Sequence, residues 1–301
     1  MPIKLPRDLP AFDILQNERV AVMSDDRAAK QDIRPLEIAI LNLMPEKVKT
    51  ETQFARLLGA TPIQVSLSLI QTSTYAPRNT DKAHLENFYQ TFELMKDRRF
   101  DGLIVTGAPI ETLAFEAVKY WEELKCVLEW AQSNVYSSFF VCWGAQAALF
   151  HRYGVPKYDL SKKRFGIYEH KNLRPSSDIM RGINDVFAMP VSRHTEVRRE
   201  DLPRNLEILA ESGQAGVGMV ADWEARDFYV FNHLEYDRET LQTEYERDLA
   251  KGSQIQMPYN YFPNDDPSIQ PPNLWRTFGS QVFQNWLNFV YQGTPYNLDD
   301  L

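Results

Sequence analysis

The chain has 301 residues, of which 44% are hydrophobic and 25% are charged, proportions typical of a folded globular protein. Its net charge of −8 disfavours non-specific binding to nucleic acid or anionic lipid, so neither partner is expected. No apolar run approaches the roughly 20 residues of a membrane-spanning helix, and the first residues lack the apolar segment of a secretory signal. Two cysteines, Cys126 and Cys142, are too few for a disulfide scaffold or a four-cysteine zinc site, which predicts a reduced, cytoplasmic location.

Strands and helices are predicted to alternate through the first half of the chain, after an irregular N-terminal arm over residues 1–34. The expected strands are LEIAILNL, PIQVSLSLIQ, FDGLIVTGAP and VYSSFFVC. The expected helices are VKTETQFARLLGA, DKAHLENFYQTFELMKDRR, AVKYWEELKCVLEWAQSN and WGAQAALFHRYG, with Gly59 and Gly154 ending the first and the last. Such alternation predicts an α/β fold with a mostly parallel sheet and helices on both faces.

The second half is richer in short strands. They are GIYEHK, DVFAMPVSRH, LEILAESG, AGVGMVAD and DFYVFNH. A helix, RETLQTEYERDLAKG, follows, then a surface loop over residues 255–274, and an amphipathic helix, TFGSQVFQNWLNFVYQ, closes the chain. Neither a repeat nor a break in composition divides the sequence, which favours one domain over residues 1–301.

The segment FFVCWGAQ, residues 139–146, is the sharpest chemical signal. A buried strand runs into Cys142, and Trp143 and Gly144 open a helix, as at the strand-to-helix turn that exposes a nucleophile. The helix N-terminus favours a thiolate, and the amide of Trp143 could stabilise an oxyanion. The alternative is that Cys142 is a buried apolar residue, which is the interpretation given to Cys126 within its helix.

A cysteine nucleophile needs a base, and the base needs a group that orients it. Of the five histidines, His84 and His151 are expected to be solvated, and His170 and His194 stay open as candidates. His233 is favoured because it ends an apolar strand and Glu235 follows two residues later. On an extended backbone both side chains would point to the same face, so the carboxylate could hold the imidazole.

Several ordered segments carry a resemblance to a known family. They are LNLMPEKVKTETQF, VTGAPIE, FFVCWGAQAAL, FGIYEHK, PVSRHTEV, FNHLEYDRETL, ERD and PYNYFPNDDP. The pairing of V-C-W-G-A-Q with a distant H-x-E resembles the class I glutamine amidotransferase fold, which is flavodoxin-like. Phe140 stands where glutaminases have glycine two residues before the nucleophile. From end to end, the chain more closely resembles the MetA family of homoserine O-acyltransferases, which share this fold.

The resemblance implies roles for particular residues. Cys142 would be the acyl-thioester nucleophile, His233 the general base and Glu235 its partner. Arg247 would bind the carboxylate of the amino-acid substrate, for which its planar fork is suited; without the resemblance it reads as a surface arginine.

Three further positions match the family or lie near its site. Lys163 and Ser192 match substrate-contact positions, although alone they read as a solvated loop lysine and an ordinary hydroxyl. Lys47 follows the first strand, at the sheet edge where α/β sites form, and is assigned a place near the oxyanion.

Glu111 bears on the acyl donor. In the family this position separates succinyl-CoA users, with glycine, from acetyl-CoA users, with glutamate. A second carboxylate on the acyl group would be repelled by Glu111, with two like charges about 4 Å apart costing about 4 kcal/mol at an effective dielectric near 20. The alternative is that Glu111 caps the next helix and faces solvent.

The sequence thus predicts a homoserine O-acetyltransferase whose substrates are L-homoserine and acetyl-CoA, serving methionine biosynthesis. The alternatives are a homoserine O-succinyltransferase, a glutaminase-type hydrolase, and a non-enzymatic binding or scaffold protein of the same fold. No zinc-type spacing and no phosphate-loop motif is present, so no metal and no cofactor are expected, with acetyl-CoA as a co-substrate. A homodimer is implied by the resemblance.

Overall fold

The computed structural model describes residues 3–18, 20–28, 33–74 and 80–301. The strands are β1 (Ile3–Lys4), β2 (Val22–Met23), β3 (Leu36–Leu41), β4 (Val65–Gln71), β5 (Tyr89–Thr91), β6 (Phe100–Val105), β7 (Val135–Val141), β8 (Tyr158–Asn172), β9 (Val186–Glu196), β10 (Glu207–Ser212), β11 (Gly216–Asp222) and β12 (Asp227–Val230). The helices are α1 (Pro10–Asn17), α2 (Asp25–Ala28), α3 (Lys47–Leu58), α4 (Lys82–Phe88), α5 (Phe92–Met95), α6 (Trp121–Asn134), α7 (Trp143–Tyr153), α8 (Thr240–Ala250) and α9 (Arg276–Gly293).

Within the described ranges, twelve strands form one sheet, in the order β2-β1-β4-β3-β6-β7-β12-β11-β10-β8-β9, with β5 paired to β4. The pairings from β2 through β7 to β12 are parallel, whereas β12, β11, β10, β8 and β9 pair antiparallel. The connections agree with this division, because helices join the successive parallel strands, whereas short turns join β10 to β11 and β11 to β12. The predicted mostly parallel sheet is confirmed.

Two apolar layers cover the sheet. Side chains of α1, α3 and α9 pack on one face, and side chains of α6 and α7 pack on the other. The central strands β6 and β7 are buried almost throughout, so their sequences read as continuous apolar runs.

The register of the central strands brings three loops to one edge of the sheet. Val105 lies opposite Phe140, and Val141 lies opposite Val230. Because these strands are parallel and end together, the turn after β6, Cys142 after β7 and the segment after β12 all emerge at the carboxyl edge, where ligand sites form in open α/β sheets.

The N-terminal segment corrects one expectation, since it is not an irregular arm. β1 pairs with both β2 and β4 and so extends the sheet, while α1 begins at Pro10. Phe12 and Leu15 are buried against the body, and burial of such side chains offsets the cost of ordering the segment. Parts of the predicted arm, including residues 1, 2 and 29–32, lie outside the described residues.

The prediction of a single helix over DKAHLENFYQTFELMKDRR is also wrong. Residues Tyr89–Thr91 form β5, a parallel edge strand on β4, and this strand separates α4 from α5. The buried Tyr89 hydroxyl donates to Glu51 at 2.7 Å and accepts a hydrogen bond from Asn42 at 2.8 Å. His84, predicted to be solvated, is buried 3.1 Å from Glu51. These tertiary contacts override the local helical pattern.

Residues 255–274 are irregular, as predicted, but not only a surface loop. Tyr259 pairs with Gly166 of β8 through two backbone hydrogen bonds to the neighbouring residues. Tyr261 and Phe262 are buried in a cluster with Leu241. The loop is therefore anchored beside α8, next to the edge of the sheet that carries the candidate site.

Candidate active site

Cys142 occupies the sharp turn between β7 and α7. Its backbone has φ 51° and ψ −117°, a conformation that non-glycine residues rarely adopt and that clusters at functional sites. Its N–H donates to the Val230 carbonyl at 2.7 Å, and its carbonyl accepts from the amides of Ala145 and Gln146. These bonds hold the strained residue, whose side chain is partly exposed.

Two glycines allow the main chain to approach the nucleophile. A Cβ placed on Gly144 would lie 2.6 Å from the Thr106 carbonyl oxygen, so only glycine lets α7 begin so close to the end of β6. A Cβ placed on Gly107 would lie 3.1 Å from the Cys142 Cβ, a tight contact, and 3.7 Å from its sulfur. The sequence predicted the first feature and missed the second.

His233 and Glu235 form the predicted pair. Nδ1 of His233 lies 2.7 Å from Oε1 of Glu235, and both side chains are buried. The basis of the prediction was wrong in one respect, because β12 ends at Val230 and the pair lies in the irregular segment beyond it. The His233 amide donates to the Pro190 carbonyl of β9 at 3.0 Å, which fixes this segment across the sheet edge.

The imidazole of His233 also contacts the nucleophile. Burial opposes protonation of the ring, but attraction to Cys142 and to the Glu235 carboxylate, together with hydrogen bonds to both, raises the pKa of His233 well above its ordinary value. The three side chains are therefore joined in the order sulfur, imidazole, carboxylate. This arrangement suits proton transfer to and from a cysteine nucleophile.

Tyr236 and Glu244 belong to the site and were missed by the sequence analysis. The Tyr236 ring stacks on His233 with centroids 4.0 Å apart, and its hydroxyl donates to Oε1 of Glu244 at 2.7 Å. Nothing in EYERD distinguishes Glu244 from a solvated helical glutamate, because its partial burial depends on where α8 docks.

Lys163 and Ser192 meet at Glu244. The Ser192 hydroxyl donates to Oε2 at 2.5 Å, while Nζ of Lys163 lies 3.4 Å from Glu244 and 3.1 Å from Asp248. The structure thus brings both predicted substrate-contact residues into one polar cluster beside the Tyr236–His233 stack. This cluster offers both signs of charge and a hydroxyl, as recognition of a zwitterionic amino acid requires.

Arg247 lies at the margin of this cluster. It is on α8, three residues after Glu244, with its side chain 50% exposed and bonded to Asp248 through Nε at 2.9 Å. Burial acts to lower its pKa, but Asp248 and Glu244 outweigh that effect and raise it. Its guanidinium is therefore a stable cation near the cluster, bonded to Asp248 within the chain.

Trp143 and Lys47, the two residues predicted to lie near the oxyanion, are on different helices. The Trp143 side chain is fully buried, but its amide is in the first position of α7, where helix geometry supplies no i−4 partner. Lys47 is buried at the start of α3, and its Nζ donates to the Asn42 carbonyl at 2.5 Å. Burial lowers the pKa of Lys47 to about 8, against the attraction of Glu51.

Glu111 follows β6, and β6 pairs directly with the nucleophile strand β7, as the sequence predicted. Its side chain is half-buried, and its backbone carbonyl accepts a hydrogen bond from Nζ of Lys157. The Lys157 ammonium also interacts electrostatically with the Glu111 carboxylate.

A buried arginine was also missed. Arg193 is wholly buried, and Nη2 donates to the Ala215 carbonyl, whereas Nε and Nη1 have no hydrogen-bond partner among the described residues. Burial lowers the pKa of Arg193 to about 10, and attraction to Cys142 opposes this shift. Arginine in an alternating strand, VSRHTEV, gave no local sign that it would face the protein interior.

Comparison with known proteins identifies the family. A family described as homoserine O-succinyltransferase matches residues 2–296. Proteins named homoserine O-acetyltransferase are 54% identical in Rhizobium rhizogenes, over 100% of this chain and 98% of the relative, and 53% identical in Acetivibrio thermocellus, over 100% of both. The Clostridium beijerinckii protein of that name is 53% identical, over 100% of both. The chain belongs to the homoserine O-succinyltransferase family. The predicted resemblance is confirmed.

Solved structures agree on the fold. A glutamine amidotransferase from Thermotoga maritima has a TM-score of 0.58 at 11% identity, covering 87% of this chain and 100% of that one. A glutamine amidotransferase from Methylobacillus flagellatus has a TM-score of 0.53 at 11% identity, covering 85% of this chain and 95% of that one. This family member therefore has the predicted amidotransferase-like fold.

The described residues, 3–18, 20–28, 33–74 and 80–301, were compared with the requirements of a metal site and of a membrane-spanning helix. Within these ranges, no cluster of three or more histidine, cysteine, aspartate or glutamate residues could hold a metal ion. No helix there has the length and apolar character needed to span a membrane.

Proposed function

We propose that the protein is a homoserine O-acetyltransferase that moves the acetyl group of acetyl-CoA to the γ-hydroxyl of L-homoserine through a thioester on Cys142. The observation that carries this proposal is the hydrogen-bonded Cys142–His233–Glu235 arrangement at the strained turn, in a chain whose full-length relatives carry that name. O-acetyl-L-homoserine would then enter methionine biosynthesis in the cytoplasm.

In the first half-reaction, the Cys142 thiolate attacks the thioester carbonyl. Protonated His233 gives its proton to the departing CoA sulfur, which leaves the acetyl group on Cys142 and the imidazole neutral. The Trp143 amide at the start of α7 supports the oxyanion of the tetrahedral intermediate.

In the second half-reaction, neutral His233 takes the proton of the homoserine γ-hydroxyl as its oxygen attacks the thioester. Collapse of the intermediate expels the Cys142 thiolate and restores the ion pair with His233. Glu235 holds the ring and stabilises its charge throughout. The cluster at Glu244, Ser192 and Lys163, with Arg247 at its margin, would orient the ammonium and carboxylate of homoserine. No metal or cofactor takes part in this scheme.

The competing function is homoserine O-succinyltransferase, which the family description favours. Glu111 argues for acetyl-CoA, since its half-buried carboxylate lies after the strand next to β7 and would repel a succinyl carboxylate.

Steady-state transfer with acetyl-CoA and succinyl-CoA, each with varied homoserine, tests the proposal. We expect parallel double-reciprocal plots, as ping-pong kinetics require, and a higher kcat/KM for acetyl-CoA. A higher kcat/KM for succinyl-CoA would establish the competing function, and absence of acyl-homoserine with both donors would refute acyl transfer. A dimer, expected from the family resemblance, is tested separately by sedimentation.

A further inference from the structure

The buried imidazole of His170 is hydrogen-bonded to the segment that carries His233, and it has no role in the scheme above. His170 is on β8 and has no exposed surface. Its Nδ1 lies 3.0 Å from the Tyr168 carbonyl oxygen, and its Nε2 lies 3.0 Å from Nδ2 of Asn232, the residue before His233. The ring is therefore linked to the general base through one hydrogen bond and one peptide unit.

The surroundings of the His170 ring determine where its proton lies. A carbonyl oxygen can only accept, so Nδ1 of His170 carries the proton and donates it to Tyr168. Burial lowers the pKa of His170 to about 4; the Tyr168 carbonyl opposes this shift, and the charge of Arg193 adds to it. The ring is therefore neutral near pH 7, and its Nε2 accepts the hydrogen bond that Nδ2 of Asn232 donates.

The side chain of Asn232 depends on this bond. Its Oδ1 has no hydrogen-bond partner among the residues that the structure describes, and its Nδ2 has, besides His170, a weak contact with the Met189 sulfur at 3.9 Å. Asn232 is itself fully buried, so loss of the bond to His170 would leave its amide unpaired in the protein interior. Unpaired buried amides are strongly disfavoured, and His170 therefore fixes the orientation of Asn232.

Three consecutive residues of the segment after β12 are each bonded to a different strand. The Phe231 amide donates to the Gly218 carbonyl of β11 at 3.1 Å, and the His233 amide donates to the Pro190 carbonyl of β9 at 3.0 Å. Asn232, between them, is bonded to β8 through its side chain. Because this segment has no regular secondary structure, these three bonds hold the backbone that carries the base.

Gly218 on β11 makes room for the His170 ring. A Cβ on Gly218 would lie 2.6 Å from Cδ2 and 3.0 Å from Nε2 of His170, so glycine lets the ring approach the strand. The ring also lies nearly parallel to that of Phe187 on β9, with centroids 6.2 Å apart, and Phe187 stacks on Phe278 of α9 at 3.8 Å. Packing thus locks the ring, as is required of a group that positions another.

We propose that His170 and Asn232 are positioning residues for the general base. The His170 ring accepts a hydrogen bond from Asn232 and so holds the segment after β12 in place. This keeps the imidazole of His233 in contact with both Cys142 and Glu235. The inference rests on the proposed function for the role of His233 as a base, but the protonation of the thiol–imidazole pair is measurable without acyl transfer.

Two variants test the proposal through the thiolate of Cys142, which a protonated His233 stabilises. The measurement is the rate of alkylation by iodoacetamide as a function of pH, in a Cys126→Ser background. His170→Phe keeps a ring but removes the acceptor, and Asn232→Leu keeps the approximate shape but removes the donor. In both, we expect the inflection of the profile to rise by about one pH unit or more, towards the ordinary thiol pKa of about 8.5. The kcat/KM for acetyl transfer should fall about tenfold or more.

Two controls separate positioning from a general loss of stability. His170→Gln places an amide oxygen where it can accept from Asn232, and it should keep the wild-type inflection. Ser137→Ala removes a buried hydroxyl near the start of β7 that accepts a hydrogen bond from Trp286 at 2.9 Å. It should lower stability in urea without moving the inflection. A wild-type inflection in both His170→Phe and Asn232→Leu, or an equal rise in either control, would overturn the inference.

Nitrogen-15 NMR of the His170 side chain in the wild type tests the hydrogen bond itself. We expect a neutral ring near pH 7 with its proton on Nδ1. A proton on Nε2 would overturn the inference, because Asn232 could not donate to that nitrogen. This measurement needs no variant, so it decides the inference even where a substitution prevents folding. If the wild type transfers no acyl group, the proposed function fails, while the NMR and alkylation results still test the positioning of His233.

Discussion

Gly144 is where α7 comes closest to β6, and one added methyl group there tests how the fold positions the nucleophile. The Cβ of Gly144→Ala would lie 2.6 Å from the Thr106 carbonyl oxygen and 2.9 Å from that of Val105. Ordinary C···O contacts start near 3.3 Å, so the helix must shift by about half an ångström or more. The oxygens belong to the backbone next to a strand paired on both sides and cannot rotate away.

We expect this shift to cost about 1–3 kcal/mol in the free energy of unfolding, as overpacking does. Because Cys142 is two residues away, kcat/KM should fall on the order of tenfold to a hundredfold, as small misplacements of reacting groups cause. Urea denaturation measures the first effect. Acetyl transfer and the rate of Cys142 alkylation by iodoacetamide measure the second, in a Cys126→Ser background because Cys126 is exposed.

Gly154→Ala at the other end of α7 is the matched control. Gly154 has φ +68° and no atom within 4 Å of its would-be Cβ, so alanine there should cost about 1–2 kcal/mol from its backbone conformation alone. Its stability should fall while alkylation and acetyl transfer stay at wild-type rates. Wild-type catalysis in Gly144→Ala, or an equal catalytic loss in Gly154→Ala, would refute the reasoning.

Three further predictions concern charge. Glu235→Gln keeps the side-chain shape but removes the charge that holds His233, so kcat/KM should fall about a hundredfold or more, and near-wild-type turnover would contradict the role of the carboxylate. Burial lowers the pKa of His170 to about 4, so between pH 6.5 and pH 4 the unfolded chain binds a proton that the folded chain does not. The free energy of unfolding therefore decreases as the pH is lowered, by about 2 kcal/mol from pH 7 to pH 5. Urea unfolding at both pH values should show this loss shrinking in His170→Gln; an equal loss in the variant would exclude His170 as its source. Glu111→Gly should raise kcat/KM for succinyl-CoA relative to acetyl-CoA, and an unchanged ratio would remove Glu111 from donor selection.

The strand–cysteine–helix turn could be predicted from the sequence because its determinants are local. The apolar run leads directly into Cys142 and Gly144. The unusual backbone conformation of Cys142 and the close approach of the main chain at Gly144 therefore fall in one short segment. The parallel strands next to this turn could also be predicted, because alternation of strands and helices indicates a parallel sheet whose strands have their carboxyl ends at one edge.

The errors lie where distant contacts decide the local conformation. Tyr89–Thr91 lies inside a helical pattern, yet pairing with β4 and the hydrogen bonds of Tyr89 to Asn42 and Glu51 make it a strand. The N-terminal segment likewise joins the sheet through β4, a partner some sixty residues away along the chain. Local propensity contains no information on such pairings.

The surroundings of the triad were missed for a related reason. Glu244 and Arg193 are charged residues in polar stretches, where a solvated position is the ordinary expectation. The docking of α8 partly buries Glu244, and the pairing of β9 with β8 places Arg193 in the interior. Tyr236 was visible only as a neighbour of the H-x-E pair, and its stack on His233 depends on the irregular path after β12.

Intact-mass spectrometry of the protein mixed with acetyl-CoA, without homoserine, tests the central claim most directly. The thioester scheme predicts a gain of one acetyl group, mapped to Cys142 by peptide analysis and released by hydroxylamine. The adduct should persist in Cys126→Ser, vanish in Cys142→Ala and discharge when homoserine is added. An unmodified wild-type protein that still forms O-acetylhomoserine, or an acetyl group on Cys126 alone, would contradict the scheme.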